Sequence, residues 1–357
     1  MRIATILGTR PQFIKAAMVS KEIEKNECIN ELIIHTGQHF DKNMSQIFFE
    51  EMGIPKPDFN LNIHSLTHGA MTGRQIEKIE QILIIEKPDW ILVYGDTNST
   101  LAGALAATKL DIPVAHVEAG LRSFNRNMPE EINRILTDQI SELLFCPTET
   151  GVINLNNEGI TRGVYNVGDV MYDAILHYTG IAEKKSKIIE TLNLNHKKYV
   201  LCTIHRQENT DDSKRLKNIF SALSQSPMPV IIPLHPNTKN KLVGSDIELN
   251  NRIKLIEPIG YLDMIMLQKN AKIIATDSGG MQKEAYFHQV PCITLRDETE
   301  WVETVSNGSN ILTGANEKKI VKSLNTTYRT KFIDDEILPY GKGKAVEKII
   351  KKLLDIK

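Results

Sequence analysis

The feature that most constrains this chain is a strand–helix alternation that runs once and then starts again. Short apolar runs lie at Ile3–Leu7, Leu32–Thr36, Trp90–Tyr94, Pro113–His116, Leu143–Cys146 and Val164–Val167. Helical patterns separate them at Phe13–Lys25, Met44–Glu51, Gln75–Ile85, Ser99–Leu110 and Glu130–Leu143. Runs of strand length joined by helices read as neighbouring parallel strands, because a parallel pair needs a long crossover. A helical, then lysine-rich link from Asp173 to Asn195 follows. The second series places strands near Tyr199–Thr203, Val230–Pro233, Ile253–Leu255, Ile273–Thr276, Cys292–Leu295 and Asn310–Leu312. The expected fold is α/β, with two doubly wound, Rossmann-like domains (1–170 and 171–343) facing a central cleft.

In such sheets the carboxyl ends of the strands line the ligand crevice. One stretch, Ile91 to Arg134, puts carboxylates there in quick succession. Ile91–Tyr94 ends in Gly95 and delivers Asp96; Pro113–His116 delivers Glu118; Glu130 and Glu131 open the next helix. This is the residue set of an acid/base site, though helix caps and surface charges use the same residues. Two turns are candidates for anion binding. Gly8-Thr9-Arg10-Pro11 follows the first strand, where free backbone N–H groups would act with the cations of Arg10 and Lys15. Asp277-Ser278-Gly279-Gly280 follows Ile273–Thr276; Ser278 can cap the helix Met281–Phe287, and the glycines admit an oxygen close to the backbone. Glu284, one turn into that helix, is placed to accept from ribose hydroxyls. His205 and Gln38 occupy further strand ends, as does His235. His35 and His39 are four apart across a strand-to-loop turn rather than on a helix, and no metal site is read there.

The totals exclude several classes. The chain has 357 residues, with 43 Lys plus Arg against 44 Asp plus Glu, so no global field favours nucleic acid. No apolar run reaches bilayer-spanning length. The lysine-bearing final stretch from Lys344 has Val346, Ile349, Ile350, Leu353 and Leu354 at helical spacing, the pattern of a helix packed on a domain. The four cysteines are scattered, three of them in apolar runs, as in a reduced cytoplasmic protein. Neither the Gly-x-Gly-x-x-Gly dinucleotide fingerprint nor a Walker A loop occurs, and no cofactor is expected. General acid/base work on a group attached to a nucleoside diphosphate is what remains.

GTRPQFIK, TGQH, GDTNST, HVEAGLRS, PEEINR, HRQEN, HPN, TDSGGMQKEA, LRDETEW and YGKGKA occur in this order along nearly the whole chain. This set resembles the non-hydrolysing UDP-N-acetylglucosamine 2-epimerases. The resemblance implies a glycosyltransferase-B-like fold, a homodimer, and a final helix, 344–357, that returns to the first domain. It implies a UDP-sugar substrate, UDP elimination to a 2-acetamidoglucal, and re-addition with C2 inverted. Position by position it makes Asp96, Glu118, Glu130 and His205 catalytic. It makes Arg10, Lys15, Gln38, Arg134, Met264, Ser278, Gly279, Gly280 and Glu284 contacts to UDP or substrate. Departures from the commoner members, at Gln12, Ile259, Met264 and Trp301, bring the chain closer to the UDP-2,3-diacetamido-2,3-dideoxy-glucuronate branch, which serves bacterial surface polysaccharide. A glycosyltransferase on the same scaffold, a hydrolysing epimerase and a nucleotide-sugar-binding regulator are the alternatives.

Overall fold

The computed structural model describes residues 1–38, 51–234, 242, 249–326 and 338–355. His39, His235 and all but the last residue of the expected helix Met44–Glu51 lie outside them. The chain divides into two compact units, one formed by Met1–Leu176 with Leu338–Lys357 and the other by His177–Ile337.

Unit 1 holds a seven-stranded sheet of β1 (Arg2–Leu7), β2 (Asn30–His35), β3 (Phe59–Asn60), β4 (Trp90–Tyr94), β5 (Val114–Val117), β6 (Leu143–Cys146) and β7 (Val164–Asn166). Its spatial order is β3-β2-β1-β4-β5-β6-β7, and every pairing is parallel. Strand β3 is absent from the sequence reading, since two residues carry no periodicity. Unit 2 holds six parallel strands: β8 (Val200–Thr203), β9 (Val230–Pro233), β10 (Ile253–Ile256), β11 (Ile273–Thr276), β12 (Cys292–Thr294) and β13 (Asn310–Leu312). Their order, β10-β9-β8-β11-β12-β13, repeats the plan of unit 1. In each sheet the strand order reverses at one point, between β1 and β4 and between β8 and β11, where such folds bind ligands.

Helices cover both faces, so the central strands are apolar throughout: all five residues of β4 are buried, and so are all four of β8 and β11. The first helix, Arg10–Ile23, starts three residues before the apolar pattern at Phe13. Pro11 fits a first helical turn, and the Gln12 side chain accepts from the Thr9 N–H, tying that turn down. Helix Ala345–Asp355 packs against this first helix and buries Val346, Ile349, Ile350 and Leu353. Asp173 holds its start: Asp173 Oδ2 accepts from the Val346 N–H at 2.9 Å. No helix of the described residues is long and apolar enough to cross a membrane. All four cysteines are free thiols; burial raises Cys292 to about 12 and Cys146 and Cys202 further, which makes these three inert.

Candidate active site

At the switch point of unit 1, β1, β4 and β5 deliver their C-terminal residues together. Lys15, one turn into the first helix and nearly buried, forms an ion pair with Glu118 at the end of β5. Gly95 separates them from β4; a Cβ there would lie 3.1 Å from Glu118 Oε2 and 3.3 Å from Lys15 Nζ. Its φ of +63° adds a second reason for glycine. Glu118 itself has φ +76°, a left-handed conformation that costs a non-glycine residue on the order of 1–3 kcal/mol and clusters at functional sites. Its N–H donates to the Phe145 carbonyl across the β5–β6 edge, which helps hold that conformation.

Asp96 is held from the next helix, Pro129–Ile140. Arg134 donates from Nε (2.9 Å) and Nη2 (2.6 Å) to Asp96 Oδ2, and Asn133 Nδ2 donates to the Asp96 carbonyl at 2.8 Å. The neighbouring Glu130 and Glu131 part company here. Glu131 is buried and accepts from the N–H groups of Ser123 and Phe124, the Ser123 hydroxyl and Arg134 Nη1. Burial alone would raise its carboxyl, but these donors and the Arg134 charge bring it below the ordinary range. Glu131 is therefore a fastener for the loop after β5. Among the described residues the Glu130 carboxylate has no hydrogen-bond or ion-pair partner, so of the two it is the unpaired one. Gln38, after β2, is held by the helix after β4: its Oε1 accepts from the N–H and hydroxyl of Ser99.

The first glycine turn corrects the sequence expectation. Gln12 Oε1 takes the N–H groups of Gly8 (2.8 Å) and Thr9 (3.0 Å), while Gln12 Nε2 donates to the Tyr94 carbonyl and Thr100 Oγ1. Those two amides are not free for an anion. Gly8 is glycine for packing, since a Cβ there would overlap the hydroxyls of Ser99 and Thr36. Any anion binding at this end falls to the side chains of Arg10 and Lys15.

Unit 2 carries the other group. Asp277 follows β11 and is fully buried; it accepts from the N–H groups of His205 and Arg206 and from Asn209 Nδ2, each at 3.1 Å. It thereby fixes the His-Arg-Gln-Glu-Asn loop after β8. The His205 ring is 56% exposed, with Nδ1 3.3 Å from Asp277 Oδ1, so the outward Nε2 is the end available to a ligand. Ser278 caps helix Gly279–Phe287 by accepting from the Met281 N–H. The N–H groups of Gly279 and Gly280 have no partner among the described residues, the arrangement that draws a phosphate oxygen. The two glycines differ. A Cβ on Gly279 would strike Glu300 Oε1, whereas around Gly280 the nearest atom is Ser278 Oγ at 4.0 Å. Glu284 is mostly buried and accepts from Gln268 Nε2. Met264 is buried too, packed in the apolar cluster with Leu201, Ile231 and Ile274.

Sequence reasoning missed the supporting residues: Asp277, Asn133 and the structural role of Gln12. Asp277 gave a signal, as an acid immediately after a strand; Asn133 and Gln12 gave none without the contacts they make.

The UDP-N-acetylglucosamine 2-epimerase family model matches residues 21–354. A UDP-N-acetylglucosamine 2-epimerase homolog of Methanococcus maripaludis is 54% identical, with 100% of both chains covered. The UDP-2,3-diacetamido-2,3-dideoxy-D-glucuronate 2-epimerase of Pseudomonas aeruginosa is 52% identical, with 99% of both covered. The crystal structure of the Methanocaldococcus jannaschii UDP-GlcNAc 2-epimerase in complex with UDP-GlcNAc and UDP matches at a TM-score of 0.92 and 48% identity, covering 99% of this chain and 100% of that one. With carboxylates at the ends of β4 and β5 and a capped glycine turn after β11, the chain belongs to the UDP-N-acetylglucosamine 2-epimerase family and is an isomerase.

Proposed function

We propose that this enzyme inverts C2 of a UDP-2-acetamido sugar without hydrolysis, and that UDP-2,3-diacetamido-2,3-dideoxy-glucuronate is its first-choice substrate, ahead of UDP-N-acetylglucosamine. The observation that carries the reading is the carboxylate set of unit 1: Glu118 on Lys15, Asp96 on Arg134, and Glu130 unpaired among the described residues. The 52% identity to the diacetamido-glucuronate enzyme supports the substrate choice, as do Ile259, Met264 and Trp301.

A C2 hydrogen of a 2-acetamido sugar has no adjacent carbonyl, so direct deprotonation would leave an unstabilised carbanion. Breaking the C1–O bond solves this. UDP leaves with the bonding pair, a carboxylate takes the C2 proton, and C1=C2 forms. A second acid then delivers a proton to the opposite face of C2 while a UDP oxygen re-attacks C1. The sequence is redox-neutral, and its proton transfers need carboxylates of the kind unit 1 supplies. Holding the departing diphosphate is assigned to Gly279, Gly280 and His205 of unit 2, with Glu284 on the ribose.

Incubation of each candidate sugar in deuterium oxide tests this. C2 inversion with deuterium at C2 and no stoichiometric UDP release is expected; the absence of both inversion and label from both sugars would sink the proposal. Accumulating UDP with free sugar would instead favour a hydrolysing enzyme. The same reading places the enzyme in the cytoplasm as a homodimer. Support comes from Ile132 and Leu136, four apart on helix Pro129–Ile140 and 47% and 44% exposed. Sedimentation as a monomer would remove the dimer.

A further inference from the structure

Unit 1 also contains a buried imidazole for which the proton chemistry above has no use. His116, the third residue of β5, is fully buried. Its Nδ1 lies 2.7 Å from Asp138 Oδ1, and its Nε2 lies 2.7 Å from the Gly95 carbonyl. A carbonyl oxygen only accepts, so Nε2 carries a proton. One further proton then lies between Nδ1 and Asp138. Asp138 Oδ2 already accepts from the Gly120 N–H at 3.1 Å and from Arg122 Nη1 at 2.7 Å. Burial would raise the Asp138 carboxyl, but the hydrogen bond and charge of His116, with Arg122, outweigh it and bring the carboxyl below its ordinary value. Arg122 in turn meets Glu158 through Nε at 2.7 Å and Nη2 at 2.6 Å. Arg122 thus links the buried Asp138 to Glu158 at the surface.

We propose that His116 is a positioning residue whose Nε2–H fixes the Gly95 carbonyl and, through that peptide, the presentation of Asp96. The proposal rests on the epimerase reading of Asp96 and Glu118. Gly95 is gripped twice, because its N–H also donates to the Val117 carbonyl at 2.9 Å. In a trans peptide C=O and N–H point opposite ways, so anchoring the Gly95 carbonyl turns the Asp96 N–H away from the ring. That N–H has no partner among the described residues. Arg134 holds the Asp96 carboxylate and Asn133 its carbonyl. His116 holds the one flanking peptide that neither of them reaches. The charged groups around it are Asp138 and Arg122, then Glu158 behind Arg122, with Asp96, Glu118 and Lys15 about the Gly95 turn.

Selective 15N-histidine labelling of the full chain at pH 7.5 reads the ring directly, with the His116 signals assigned by their loss in His116→Gln. A protonated Nε2 is expected; a bare Nε2 overturns the proposal. His116→Gln keeps a donor for one acceptor only, and kcat is expected to fall roughly tenfold to a hundredfold with KM and UDP affinity nearly unchanged. Asp138→Asn acts on the same path, so the double variant is expected to be no slower than the slower single one. Multiplying losses overturn the proposal, and so does a folded His116→Gln protein with full kcat. If the unmodified enzyme turns over neither sugar, the epimerase reading has failed, and the labelling experiment still decides the state of the ring.

Discussion

The two switch points are built on one strand order and use it in opposite ways. In unit 1 the turn after the first strand is closed: Gln12 consumes the amides of Gly8 and Thr9, and the charged groups at the strand ends are paired side chains, Lys15 with Glu118 and Arg134 with Asp96. In unit 2 the acid after β11 is the buried group, spent on the backbone of the His205 loop, while the amides of Gly279 and Gly280 stay open. A glycine after a strand thus has two meanings. At Gly8 it answers a packing demand; at Gly280 it leaves room. Topology decides where a site lies, and the partners of a few polar groups decide whether it handles protons or phosphate.

The comparison is most exposed at Glu118. Glu118→Gln is expected to lower kcat roughly a thousandfold while UDP affinity, measured calorimetrically, stays intact. A matching loss of UDP affinity would erase the division of labour. Next comes the split between adjacent acids. Glu130→Gln is expected to cost roughly a hundredfold in turnover with an unchanged melting temperature. Glu131→Gln weakens the clasp on the loop after β5 and is expected to cost about 1–3 kcal/mol in denaturant unfolding. A reversed pattern would break the assignment.

A third expectation concerns Asp173, which burial raises from 3.8 to about 6 despite its bonds to the Val346 and Ala345 amides. Between those values the folded state keeps a proton that the unfolded chain has released. Stability should therefore fall as pH rises through that window, by an amount on the order of 3 kcal/mol. Urea midpoints across this range check it, and Asp173→Asn should flatten the slope. Smallest is Gly280→Ala. Its Cβ meets nothing in the protein within 4.0 Å. It should leave stability intact and weaken UDP binding about tenfold by crowding the space an oxygen would use, as P–O···H–N bonds lengthen. Unchanged affinity would show that the open amides are not the diphosphate site.

Much of this was legible because parallel sheets place the residue after each strand at the crevice. Asp96, Glu118, His205 and Ser278 could be located from apolar runs alone. What could not be read was which polar groups are already spent. Glu130 and Glu131 are adjacent identical acids, and only the amides of Ser123 and Phe124 tell them apart. Gly8 looked like a phosphate turn until Gln12 was seen filling it. His116 read as one more strand residue, since its two bonds reach 21 and 22 positions along the chain.

The assignment of Leu338–Lys357 to unit 1 bears on how the protein is made. Unit 2 is continuous in sequence, whereas unit 1 is complete only with the helix Ala345–Asp355, which follows unit 2 in the chain. Unit 2 closes on its own residues, whereas the first helix, Arg10–Ile23, stays uncovered until the helix Ala345–Asp355 docks on it. Completion of the first unit therefore depends on residues that lie beyond the second. Removing residues from Leu338 onward would strand the unit that carries the carboxylates and spare the one assigned to UDP.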